Sequence, residues 1–254
     1  MRNVLTFLLL LFSLLCNGQS PKLFTTDKEL SSSLINQIYQ DRNGFIWIAT
    51  EDGLNRYDGA KFTIYKHEPN NEHSLAHNFV RTVFEDSKGH LLIGTYIGIQ
   101  MYDPATDNFT PLAKLEDTGE TLESNINSFI ERKNGEIWVS GNVLCKLDIK
   151  DHLLTVRKVD IAVTSPGSLF EDKKQNVWMA KGEEGVYQLT PDNQLTLHLS
   201  KDNGYVKSIC EDQRGNIYVG SIRKGLFIYD KERKTFVPVD LKEKGELPVC
   251  FLYS

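Results

Sequence analysis

Gln40-Asp41-Arg42-Asn43-Gly44-Phe45-Ile46-Trp47-Ile48-Ala49-Thr50 couples a tight turn to a short apolar strand, and the pattern returns four more times. The later copies run Glu85–Thr95, Glu131–Ser140, Glu171–Ala180 and Glu211–Gly220. Their turn positions, 44, 89, 135, 175 and 215, lie 45, 46, 40 and 40 residues apart. A period of about 40–50 residues with several short strands per unit is that of propeller blades. A helical repeat of similar length would show an apolar rhythm near 3.6 residues, and no long window does.

Each part of the unit has a physical reading. Asp followed three residues later by Gly suits a type I turn, the carboxylate accepting from the turn backbone and Gly easing the exit. Arg132 and Gln175 depart from that pattern, so the third and fourth copies are expected to have weaker turns. The strand after the turn is apolar without alternation: Ile46-Trp47-Ile48, Leu91-Leu92-Ile93, Ile137-Trp138-Val139, Val177-Trp178-Met179 and Ile217-Tyr218-Val219. Such a strand is covered on both faces, as in a sheet held between neighbouring sheets. A small residue follows each time (Ala49, Gly94, Ser140, Ala180, Gly220), expected to make room for a bulky aromatic of the next blade.

Working outward, a strand precedes each turn: Ile35–Tyr39, Val80–Phe84, Ile126–Ile130, a less regular Pro166–Phe170, and Val206–Cys210. Another begins near Gly53, Gly98, Val143, Gly185 or Gly225, and a last one carries Phe62, Phe109, Leu195 or Phe236. Four hairpin-connected strands per unit give an all-β propeller. The expected blades span 34–66, 75–113, 124–160, 165–199 and 205–238, within a propeller region of 22–254. Lys22-Leu23-Phe24-Thr25 has the character of a last strand, and Leu247–Tyr253 that of the first strand of an incomplete sixth blade. Five blades could close a ring, but the unfinished sixth favours a partial propeller.

The N-terminus reads differently. Arg2 precedes an apolar run, Val4–Leu15, too short for a comfortable membrane span and suited to a signal peptide over 1–18, with cleavage after Gly18. Lipid attachment at Cys16 and an uncleaved anchor are the rival readings, and all three place the rest of the chain outside the cytoplasmic membrane. The remaining Cys145, Cys210 and Cys250 are odd in number, fit no CxxC metal pattern and read as small buried hydrophobes. The 254 residues carry a net charge of −5 with both signs interspersed, and the absence of a basic cluster excludes a nucleic-acid footprint.

Candidate chemistry is sparse. Some propellers hydrolyse glycosides with paired carboxylates, but Asp41, Asp86, Asp172 and Asp212 recur at one turn position, which marks them as structural. His73 and His77 would share one face of a helix and could hold a metal there. Their segment, with Pro69, Asn70 and Asn71, reads instead as a polar loop. No catalytic residue, metal ligand or cofactor is expected. Ligand binding is the better expectation, on the long inter-blade loops His67–Leu75 and Lys114–Ser124, with no individual contact residue identifiable.

The D-x-x-G-x-I-W-I-A-T stretch at 41–50, the D-G-L-N-R-Y-D-G run at 52–59 and Ser74-Leu75-Ala76-His77-Asn78 resemble the two-component regulator propeller repeats of hybrid two-component sensors in Bacteroidetes. The resemblance extends from about Leu23 to the end, five times over. It implies a periplasmic sensor module, with a parent protein anchored in the inner membrane and regulating transcription. It also implies an oligosaccharide ligand, partnership with the remaining blades and the histidine-kinase part of the parent, and a homodimer. No kinase motif lies in these residues, so no enzymatic activity is expected of them. A secreted propeller glycosidase or lyase and a periplasmic protein-interaction platform are the alternatives.

Overall fold

A computed structural model describes residues 23–26, 29–199 and 204–240. The expected signal peptide at 1–18 and the expected sixth-blade start at 247 lie outside the described residues. Among the described residues there is no helix, and twenty-one strands form five sheets. Blade one holds β1 (Ile35–Gln40), β2 (Ile46–Thr50), β3 (Gly53–Tyr57) and β4 (Phe62–Tyr65). Blade two holds β5 (Val80–Glu85), β6 (Leu91–Thr95), β7 (Ile99–Asp103) and β8 (Asn108–Phe109). After β9 (Lys114–Leu115), blade three continues with β10 (Ser128–Glu131), β11 (Ile137–Ser140), β12 (Leu144–Lys150) and β13 (Leu153–Lys158). Blade four holds β14 (Leu169–Glu171), β15 (Val177–Lys181), β16 (Gly185–Leu189) and β17 (Leu195–Leu199). Blade five holds β18 (Val206–Glu211), β19 (Ile217–Ser221), β20 (Gly225–Asp230) and β21 (Thr235–Pro238). The five meanders are antiparallel, and the architecture is an all-β propeller.

Two expectations are corrected. Blade three has five strands rather than four: β9 pairs parallel with β13, Lys114 opposite Thr155 and Leu115 opposite Val156. The segment read as a loop from Lys114 thus begins as a strand. Half-buried Leu115 packs on the core between blades two and three, and β9 covers an edge of β13 that would otherwise be bare. At the N-terminus, Leu23–Thr25 form no strand, and the Phe24 ring lies 5.2 Å from Tyr57 and 5.0 Å from Phe62.

The turns follow from their Asp residues. The Gly44 amide donates to the Asp41 carbonyl at 3.0 Å, and Asp41 Oδ1 accepts the amides of Asn43 and Phe45 at 3.0 and 2.9 Å. Asp86, Asp172 and Asp212 accept the corresponding two amides of their own turns. Gly44 has φ 89°, a left-handed conformation that glycine adopts without strain, whereas blade four places Gln175 there at φ 66°.

The cores lie between blades. Trp47 is 1% exposed and packs 4.9 Å from Tyr102 of the next blade. Leu92 sits with Ile137 and Val139 of blade three, Trp138 with Val177 and Met179 of blade four, and Trp178 lies 5.2 Å from Tyr229 of blade five. Burying a large apolar side chain contributes roughly 1.5–3 kcal/mol, so these wedges are a leading source of cohesion. At Gly94 the small position is crowded as expected, but by aliphatic groups rather than by an aromatic. A Cβ on Gly94 would stand 2.7 Å from Ile126 Cγ2, at the entry to blade three, and 2.6 Å from Thr82 Cγ2 of its own blade. Val80 belongs to the same buried cluster as Ala49, and Val206 to that of Ala180. At Gly94 the crowding group from the next blade is thus an aliphatic residue at that blade's entry.

A second device joins the blades on the face that bears these turns. The residue after each Asp position donates its amide to the Glu that ends the next blade's first strand. Arg42 donates to Glu85 at 2.8 Å, Ser87 to Glu131 at 2.6 Å, Lys133 to Glu171 at 2.7 Å and Lys173 to Glu211 at 3.1 Å. Blade one carries Gln40 at that position.

Candidate functional site

The first strand of every blade is the innermost, and all five contribute to one cavity of about 290 Å³ around their common axis. It lies toward the strand starts, away from the Asp turns. Its wall is polar: Asn36 and Gln37 from blade one, Arg81 and Thr82 from blade two, Asn127 and Ser128 from blade three, Gly167 and Ser168 from blade four, and Lys207 and Ser208 from blade five. Several of these side chains also tie one blade to the next. Asn36 Nδ2 donates to the Val80 carbonyl at 2.8 Å, and Asn127 Nδ2 to the Pro166 carbonyl at 3.1 Å. Gln37 Oε1 accepts the Val83 amide at 2.7 Å, and Ser128 Oγ the Leu169 amide at 3.3 Å. Ser208 holds the equivalent place in the last described blade, and its Oγ has no partner among the described residues.

The inner strands of blades one, two and five are irregular. Their pairing registers skip between Ile35 and Gln37, Val80 and Thr82, and Val206 and Ser208. The extra residues are Asn36, Arg81 and Lys207. A β-bulge redirects the side chain it carries, and all three line the cavity.

A second concavity, of about 670 Å³, lies where the two long loops singled out in the sequence meet. His67, Asn71, Glu72 and Ser74 come from the first loop, Lys114 and Thr121 from the second, and His152–Thr155 from the β12–β13 hairpin. Buried Gln100 pins the first loop, accepting the Ala76 amide at 2.6 Å and donating to the carbonyls of Ser74 and Thr110 at 3.0 and 2.8 Å. Neither Gln100 nor the bulge residues of the channel stand out in the residue pattern.

The other expected candidates disperse. Asp41, Asp86, Asp172 and Asp212 sit at the turns and not in either concavity; Asp41 and Asp86 share a separate cleft between the turns of blades one and two. The His73–His77 segment is not helical: His73 Nδ1 meets the Phe109 carbonyl at 3.1 Å, and His77 Nδ1 accepts the Phe79 amide at 2.9 Å. Burial and the neighbouring His67 push His77 below its usual pKa. Among the described residues no three His, Cys, Asp or Glu gather as metal ligands. Cys145 is buried, its thiol pushed up to about 11 by burial, while Cys210 is only half-buried. Arg56 occupies an aromatic cage between blades one and two, with Asp107 accepting from Arg56, Tyr65 and Tyr102 at 2.9, 2.6 and 2.6 Å. Its charge is answered within the cluster. No helix of the described residues is long and apolar enough to cross a membrane.

Known proteins share this fold. The family model of the two component regulator propeller matches residues 29–52, 74–96 and 200–223. Those segments carry the regular Asp–Gly turn strands of blades one and two and the opening of blade five. Histidine kinase P4 of Formosa agariphila is 39% identical over 83 residues, 30% of this chain and 6% of that protein. An extracellular domain described as that of a one component system from B. thetaiotaomicron superposes with a TM-score of 0.69 at 18% identity, covering 89% of this chain and 34% of that one. The virginiamycin B lyase of Staphylococcus aureus superposes with a TM-score of 0.63 at 13% identity, covering 89% of this chain and 74% of the lyase. At these identities the likeness to both structures is one of fold. This chain spans about a third of the extracellular domain and a small part of the kinase. The fold is that of a β-propeller, and three of its segments match the two component regulator propeller model.

Proposed function

We propose that the chain is the extracytoplasmic ligand-sensing module of a hybrid two-component sensor that regulates transcription. In this reading it is exported to the periplasm, its ligand is an oligosaccharide, and its partners are the remaining blades and the kinase part of the parent, which acts as a dimer. The observation that carries the proposal is the axial cavity: one polar concavity built jointly by the inner strands of five blades, three of them matched by the family model. A ligand there touches every blade at once and can bias how the blades sit against each other. The Formosa agariphila relative, named as a histidine kinase, supports a signalling parent.

The lyase likeness favours a second reading, in which the propeller is an enzyme. The cavity wall speaks for binding instead, since it carries neither a histidine nor a carboxylate to act as general acid or base. Calorimetric titration of the chain with neutral and acidic oligosaccharides tests the proposal. Saturable heat without turnover is the expected result. Silence across the whole panel overturns the sensing reading, and product formation favours the enzyme.

A further inference from the structure

The cavity wall has a charge pattern at odds with the rest of the molecule. The chain has 34 acidic and 29 basic residues, yet the wall includes Arg81 and Lys207 and no Asp or Glu. Both cations are the extra residues of β-bulges, on the inner strands of blades two and five. Arg81 makes no hydrogen bond or ion pair among the described residues, and its Nε is buried without an acceptor. The guanidinium carbon rests 5.3 Å from the centre of the Phe79 ring, a contact that supplies no acceptor for Nε.

An arginine has five N–H donors and stays charged, and a buried donor left unpaired is costly. Among the described residues the other buried or half-buried arginines are answered. Arg56 has Asp107, and Arg132 has Glu171 at 2.8 Å. The arginine of the channel is the exception. Planar two-oxygen groups match a guanidinium fork, and a second cation adds to the attraction. The volume of about 290 Å³ is at the low end for small-molecule sites, roughly 300–1,000 Å³, and suits one charged sugar unit better than a long chain.

We propose that the axial cavity binds the carboxylate or sulfate group of an acidic saccharide, with Arg81 as its main contact and Lys207 as the second charge. This rests on the sensing reading and narrows it to acidic ligands.

The test uses the full chain and calorimetry with paired probes. Trigalacturonate is compared with its methyl ester, and a sulfated disaccharide with its desulfated form. The expected result is that at least one acidic member binds tenfold or more tightly than its neutral partner, and that sodium chloride weakens the binding. Arg81→Gln is expected to lower that affinity roughly thirtyfold, and Lys207→Gln to lower it less. Arg81→Lys retains the charge and is expected to keep part of the affinity. Neutral partners binding as tightly as the acids, with no salt effect, would overturn the acidic-ligand inference and leave sensing intact. No binding by any probe would overturn it together with the sensing reading. The salt dependence of the wild-type chain decides between these outcomes even if an Arg81 variant fails to fold.

Discussion

Blades three and four seal the same kind of turn by opposite means. In blade four a single carboxylate suffices. Asp172, 5% exposed, accepts the amides of Lys174 and Asn176, the Asn176 side chain and the Trp178 indole, all at 2.8–2.9 Å. Blade three has Arg132 at that position and spreads the task. Asn134 Oδ1 takes the Glu136 amide at 3.0 Å, Glu136 takes the Trp138 indole at 3.1 Å, and Lys146 pairs with Glu136. Arg132 itself covers the Trp138 ring at 4.6 Å and reaches Glu171 of blade four. The wedge tryptophan is buried in both. Where the wedge is a tryptophan, what is kept is an acceptor for its indole N–H, not the residue that supplies it. The cost of a mutation depends on how many donors hang on one acceptor.

The comparison can be broken most directly at Asp172. Asp172→Ala strands four donors, two of them beside a buried ring, and is expected to cost about 3 kcal/mol in urea unfolding. Glu136→Ala in blade three should cost less than half as much, and equal losses would contradict the contrast. Arg132→Ala comes next, at about 2 kcal/mol. It uncovers Trp138 and leaves the buried Glu171 with only the Lys133 amide. Arg132→Lys should recover only part of that, since a lysine lacks the fork.

The smallest effect is a dependence on pH. The Lys146 hydrogen bond, against some burial, holds Glu136 down to about 2 from an ordinary 4.5. A depressed carboxylate stabilises the fold above its unfolded value and loses that contribution as pH falls through its folded value. Wild type should therefore melt above Glu136→Gln at pH 6, with the gap closing between pH 4.5 and about 2. Because the site is partly open to solvent, the gap should stay below about 1 kcal/mol. A gap that widened on acidification would show that Glu136 is not the acceptor described.

Much of this was legible in the sequence because the repeat samples one environment five times. Trp47, Trp138 and Trp178 stand in register, and continuous apolar strands announce coverage on both faces. Arg132 and Gln175 were visible as irregular turns. Three features were hidden. Lys114–Leu115 is too short and too polar to read as a strand, and only the edge of β13, distant in sequence, gives it a partner. Ile126, the residue that crowds Gly94, acts across blades, which a single unit cannot reveal. The bulges at Asn36, Arg81 and Lys207 change hydrogen-bond pairing without changing the apolar pattern, so the residues turned toward the channel looked ordinary.

The amide-to-glutamate link between consecutive turns has a consequence for how such molecules change length. Each unit carries a plug on one side and a socket on the other, and the same plug fits every socket from Glu85 to Glu211. Whole units can then be duplicated or dropped by recombination with the joints still matching, while an insertion of one residue between Glu and Asp would misalign two joints at once. Gln40 is a neutral socket, and a unit recombined into first place would bring a charged one with it.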